Sequence, residues 1–227
     1  MVTNNEQMQD RESERIQAMA LPARLATAVL LLNQVCAVVC QFMQHTDPRF
    51  PLWYFTVDSA ILAGLGAAAD LAMPHARWVA ALRHTAAVGV VISAAIFAAV
   101  IAPTSPSGTW FQSHDDLLVR TATVLFHAVA PLLVIVCYLL RPTGLRGRAA
   151  VRYAFLWPLA YGAALYIMVA ARGPAVIPYP FLAPGQMGWG TVGLAVGVLT
   201  VLVAAVGAAL GVLNPSTRRI THGSGGS

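Results

Sequence analysis

The chain has 227 residues, of which 58% are apolar and 10% charged, with a net charge of +5. A soluble domain is about 45–50% apolar and about 25% charged, so the composition excludes both a soluble globular fold and a disordered chain. The mean hydropathy of +0.67 agrees, and at about 20–25 residues per span the chain has room for six or seven membrane helices and no soluble domain beside them.

Residues 1–20 are polar and of mixed charge. They lack the basic-then-apolar layout of a signal peptide and predict a cytoplasmic N-terminal segment. Apolar runs then predict spans at 21–43, 51–73, 78–101, 116–140, 151–171 and 187–213. Pro51 falls in the first turn of the second, where its missing N–H costs least. Two long loops intervene, 103–114, rich in Pro, Ser and Gly, and 172–186, with four prolines. Residues 214–227 form a tail ending in Gly-Ser-Gly-Gly-Ser, a flexible linker by composition. The expected fold is an all-α integral membrane protein, a bundle of six transmembrane helices over 21–213.

All of the positive charge is arginine, fourteen residues with no lysine. Six spans return both termini to one side, and eleven arginines fall there against Arg49, Arg120 and Arg172 opposite. That asymmetry predicts cytoplasmic termini. No basic run interleaved with aromatics suggests a nucleic-acid partner. Cys36, Cys40 and Cys137 lie in apolar runs and read as small buried hydrophobes. Gly193 with Gly197, and Gly207 with Gly211, permit close helix approach, either within the chain or in a homodimer through the sixth helix. No internal repeat supports an inverted-repeat transporter.

Polar groups inside a span are costly, and each is a candidate site residue. His127 lies about eleven residues into the fourth span, roughly 16 Å along the helix. Pro131, one turn later, frees the His127 carbonyl and predicts a kink. The imidazole is either a structural group bonded across helices or a neutral general base. Thr56 lies about six residues into the second span, with Ser59 on the same face. Its hydroxyl either bonds back to the Leu52 carbonyl or points into the bundle near His127. Asp58 projects elsewhere and needs a partner, for which Arg120 and Arg172 are candidates, or it acts in catalysis. His45, Asp47 and His114-Asp115-Asp116 have no metal-ligand spacing and read as solvated loop. His84 and His127 differ in depth by roughly 10 Å, which disfavours a haem between them.

Tyr54-Phe55-Thr56-Val57-Asp58-Ser59, then His127 with Pro131, resembles the androgen-induced protein / androgen-dependent TFPI-regulating protein family of multipass membrane threonine hydrolases. Trp157-Pro158 with Tyr161, Arg172-Gly173 and Tyr179-Pro180-Phe181-Leu182 are similar to that family's pattern, and the likeness runs over about residues 21–213. Asp58 and Ala60 depart from it, standing where Gln and Asn are expected. The resemblance implies an intramembrane hydrolase of fatty acid esters of hydroxy fatty acids or similar lipids. Its nucleophile would be Thr56 and its general base His127, and it would use no cofactor and no metal. Asp58, Ser59, Arg120, Tyr161, Arg172 and Tyr179 would line or support the site. The lipid would come from the bilayer, the location would be a bacterial cytoplasmic membrane, and the site would lie nearer the outer leaflet. The rival readings are a small transporter or channel, with Asp58, Arg120 and His127 along a polar path, and a non-catalytic membrane scaffold.

The arginine asymmetry carries its own test. In a bacterial host a C-terminal alkaline phosphatase fusion should be inactive and a fluorescent-protein fusion bright; the reverse pattern would refute the orientation.

Overall fold

The computed structural model describes the backbone of residues 4–214 and the side chains of residues 21–214. Six helices are long and apolar enough to cross a membrane. The first, α1, is continuous over Asn4–Met43, and its apolar part is Leu21–Met43. The others are α2 (Phe55–Ala72), α3 (Arg77–Thr104), α4 (Leu117–Leu140), α5 (Gly147–Arg172) and α6 (Pro184–Val212). Arg11, Arg15, Arg218 and Arg219, counted in the charge asymmetry, lie outside the residues whose side chains are described, as do 215–227 of the tail.

Proline shapes three of these helices. A proline has no N–H to give and crowds the carbonyl four residues back. Before Pro103 the backbone of α3 widens into a π turn at Phe97–Ile101, closed by the Ala102 N–H on the Phe97 carbonyl. Before Pro131, α4 does the same at Leu125–Val129, closed by Ala130 on Leu125. The distortion expected at Pro131 is thus a π turn with His127 at its centre. In α5 the helix breaks at Phe155, three residues before Pro158. In α6 the irregular point is Gly188, whose φ of 75° suits glycine.

Alternate helices run in opposite directions, so Thr27, Asp70, Arg83, Tyr138, Ala150 and Asn214 gather at one end of the bundle. There Asp70, in the last turn of α2, is 2% exposed. Its Oδ1 lies 3.0 Å from Arg141 and 3.5 Å from Arg83. Neither guanidinium aims an N–H along that line, so the attraction is coulombic rather than a formed hydrogen bond. The guanidiniums spend their donors on carbonyls, Arg83 on Cys137 and Arg141, and Arg141 on Pro74. Thr27 of α1 reaches Oδ2 at 3.5 Å.

A neutral network adjoins this ion cluster. His84 is fully buried, with Nε2 2.8 Å from the Ala150 carbonyl and Nδ1 2.8 Å from the Tyr138 hydroxyl. A carbonyl only accepts, so Nε2 carries the proton and Nδ1 accepts from Tyr138. The Tyr138 oxygen then receives Thr143 at 2.8 Å and Asn214 at 3.2 Å. Asn214 also holds the Gly144 N–H and the Leu145 carbonyl. It is 1% exposed, so the bundle includes a residue expected to begin the tail.

The two small-residue pairs of α6 differ in role. A Cβ at Gly207 would stand 2.5 Å from the Ala154 Cβ, and one at Gly211 2.8 Å from the Ala150 Cβ. These glycines let α6 cross α5 with backbones nearly touching. Cβ atoms at Gly193 and Gly197 would meet nothing within 4 Å.

Removing the buried acid should strand its partners. Arg141, 28% exposed, can turn outward, but Arg83, at 11%, cannot. Asp70→Ala should therefore destabilise the fold by about 3 kcal/mol, the lower end for an opened buried pair, seen as a lower melting midpoint in detergent. An unchanged midpoint would remove the ion cluster from any stabilising role.

Candidate functional site

The opposite end of the bundle holds three loops, 44–54, 105–116 and 173–183. The first sets the start of α2. Pro51–Trp53 forms a separate 3₁₀ turn, and Tyr54 is extended as N-cap. Two side chains hold it out of the helix. The Tyr54 hydroxyl donates to Asp47, and the Tyr161 hydroxyl donates to the Trp53 carbonyl at 2.7 Å. Burial and that Asp47 bond push the Tyr54 phenol up to about 12.

Thr56 is therefore the second residue of α2 rather than the sixth of a span starting at Pro51. Its hydroxyl does not turn back to Leu52. It bonds the Ser93 hydroxyl of α3 at 2.6 Å. The first N–H groups of a helix have no acceptor within it and form a positively polarised end. Against those of Phe55 and Thr56, and against the Thr56 side chain, stands the hydroxyl of Tyr179, 8% exposed. Burial pushes the Tyr179 phenol up, and these donors pull it the other way.

An aromatic wall completes the start of α2. The Phe55 ring meets Tyr161 edge-on at 5.1 Å and lies over Trp157 at 6.4 Å. Tyr54 meets Tyr179 edge-on at 6.1 Å. Ser59, placed by spacing near His127, faces α5 instead and accepts from Trp157 Nε1 at 2.9 Å. Gly89 of α3 makes room, since a Cβ there would stand 2.9 Å from both Ser59 Oγ and the Trp157 ring.

Thr56, Ser93, Tyr161 and Tyr179 open on a cavity of about 380 Å³. Apart from Thr200 of α6, its other walls are apolar, from α2, α3, α5, α6 and the Phe181–Leu182 turn.

His127 does not line this cavity. Its ring lies flat on Phe97 of α3, 3.9 Å between centroids and 4° from parallel, while Trp110 meets the same Phe97 ring edge-on at 5.2 Å. Nδ1 is buried without a hydrogen-bond partner. Phe97 is four residues beyond Ser93, so the imidazole stacks about one helical turn, roughly 6 Å, along α3 from the Thr56–Ser93 pair. The structure brings both residues to α3 and forms no bond between them.

The remaining candidates divide. Asp58 is half-buried, and among the described residues no cation stands within ion-pair distance of it. The expected pair with Arg120 or Arg172 is absent. Arg120 is exposed and bends back to the loop, donating to the carbonyls of Asp115 at 3.1 Å and Gln112 at 3.2 Å. Its long stem lets the charge leave the apolar layer. Arg172 is exposed at the end of α5. Asp58, Arg120 and His127, the residues of the expected polar path, do not line the cavity at Thr56. In the loops, Asp116 caps α4 through the Val119 N–H and also takes the His45 N–H. Those bonds hold its carboxyl below the usual range.

Ser93 and Gly89 were invisible as site residues because a small residue in an apolar helix reads as packing. An i, i+4 face shared by Gly89, Ser93 and Phe97 is the only trace they leave in the sequence.

An unpaired, half-buried carboxylate costs stability. Asp58→Asn should therefore melt at or above the parent temperature, measured in the same detergent. A drop comparable to that of Asp70→Ala would mean that Asp58 has a cation partner after all.

No protein-family model, curated protein or solved structure matches this chain.

Proposed function

We propose that the chain is an intramembrane lipid ester hydrolase with Thr56 as nucleophile and His127 as general base. The observation that carries the reading is the Thr56–Ser93 hydroxyl pair at 2.6 Å, placed at one end of a mostly apolar cavity of about 380 Å³. The resemblance of the Thr56 and His127 segments to threonine lipid hydrolases supports it. So does the position of Thr56 at the positive end of α2, where a developing oxyanion is stabilised.

An unactivated threonine is a weak nucleophile, so a base is required. His127 is a neutral-imidazole candidate with a buried, unpartnered Nδ1. It must leave the Phe97 face to reach the hydroxyl pair, and catalytic bonds that are long without substrate commonly tighten with it. Thr56 then gives its proton toward His127, through Ser93 or directly. The alkoxide attacks the ester carbonyl, and the tetrahedral oxyanion faces the Phe55 and Thr56 N–H groups and the Tyr179 hydroxyl. Collapse expels the alcohol, which takes the proton from His127 and leaves acyl-Thr56. Water, deprotonated by His127, adds to the acyl carbon and releases the fatty acid with Thr56 restored. On this reading the active site lies in the leaflet next to the three loops, the outer one if the arginine-rich end is cytoplasmic.

A second reading has its own observation. With the Thr56 hydroxyl already satisfied by Ser93 and no base bonded to it, the cavity suits a protein that binds a lipid without cleaving it.

The two are separated with folded, monodisperse variants and a lipid ester substrate. Under the hydrolase reading Thr56→Ala abolishes turnover and fluorophosphonate labelling, and Thr56→Ser retains part of both. His127→Ala cuts turnover by at least about 10²-fold. The double variant is little worse than either single one, because the pair acts as one device. Normal turnover by Thr56→Ala ends the assignment to this pair, and a parent with neither turnover nor labelling favours the binding reading.

A further inference from the structure

The cavity at Thr56 is closed at both ends and open on one side. Toward the ion cluster, α5 and α6 are clamped together where Ala150 and Ala154 meet Gly211 and Gly207. Toward the loops, the Pro180–Leu182 turn covers it, with Tyr179 and Phe181 stacked 5.4 Å apart. Between these closures the two helices part. α5 is interrupted at Phe155 and only the part before the interruption packs closely on α6, while beyond buried Val203 the outer part of α6 is exposed along most of its length.

The residues at this parting line the cavity and face outward at once. Leu159 of α5 is 66% exposed and Val196 of α6 49%. Gly162, also in the wall, has nothing within 4 Å of where a Cβ would stand. In a bundle that spans a membrane, a side opening between two helices at mid-height faces lipid tails rather than water.

Size and polarity define the occupant. A 150 Å³ apolar cavity takes one benzene, so this volume takes on the order of fifteen carbon atoms. The polar lining is at one end, since the Thr200 hydroxyl is spent on its own Val196 carbonyl at 2.8 Å. From these features we infer that the cavity takes one long acyl chain, entering sideways from the bilayer between α5 and α6. The carbonyl end of the chain then lies at Thr56, Ser93 and Tyr179. The inference rests on the reading of the cavity as the lipid site, not on hydrolysis.

The probe is a long-chain fatty acid with a mid-chain diazirine, photolysed with the full-length protein in lipid nanodiscs and mapped by peptide mass spectrometry. Label should concentrate on residues 155–165 and 196–203 and be outcompeted by unlabelled fatty acid. Gly162→Trp, which fills the opening, should lose the competable label. Val198→Trp, 58% exposed and outside the cavity wall, should keep it. Label spread evenly over lipid-facing residues such as Leu21, Leu25 and Leu32 of α1 overturns the side entrance. So does a folded Gly162→Trp labelled like the parent. If Gly162→Trp fails to fold, the map on the parent decides alone. Competable label at the opening without ester turnover leaves this inference standing and the hydrolase reading fallen; turnover with label elsewhere does the reverse.

Discussion

The buried carboxylate of Asp70 is the interaction on which the rest of the bundle depends. A charge buried between helices must be paired, and here the partners come from two other helices, Arg83 of α3 and Arg141 at the end of α4. Thr27 adds α1. The neighbouring His84–Tyr138–Asn214 network brings in α5 and α6 through Ala150 and Leu210. All six helices are thus tied at one end by polar bonds that fit only one arrangement. Apolar packing against lipid cannot supply that specificity, because lipid tails are as apolar as leucine.

Away from that end, α5 and α6 separate. Where α5 and α6 cross, glycine against alanine brings the backbones as close as packing allows. Past the crossing each helix leans on different neighbours, α5 on the aromatic wall at Phe55 and α6 on α3 and the Pro180–Leu182 turn. The cavity is the space this divergence leaves. Its polar end is built from groups that the helix start of α2 cannot satisfy internally.

The spans were legible in the sequence because about twenty apolar residues in a row have few other uses. The first apolar segment ends at Met43 as expected, and the others shift by a few residues where a cap or proline intervenes, as at Asp116 and Pro51. The side-chain geometry was much less legible. Asp70 carries no signal in the sequence because it sits near a predicted span end, where an acid is cheap; only the fold shows it buried between two arginines. Asp58 stands out in the sequence for the converse reason, yet among the described residues it has no ion pair. Arg120 was counted as a partner by its place along the helix, although its length lets it bond the loop above. Thr56 was singled out through a resemblance, while its bonded neighbour Ser93, thirty-seven positions away, has no sequence signal that ties the two together.

The π turns in α3 and α4 have a consequence for how this chain varies. A π turn is an α-helix carrying one additional residue in a single turn. Everything after it is rotated by about 100° relative to an uninterrupted helix. A helical wheel drawn straight through Leu125–Val129 therefore assigns the wrong face to residues on one side of it. Deleting one residue from that turn would close it to a regular α-turn and leave the residues on either side, Tyr138 among them, on the faces they occupy now. Single-residue gaps in related chains are thus to be sought just before these two prolines, where a length change costs the helix a bulge instead of its hydrogen bonds.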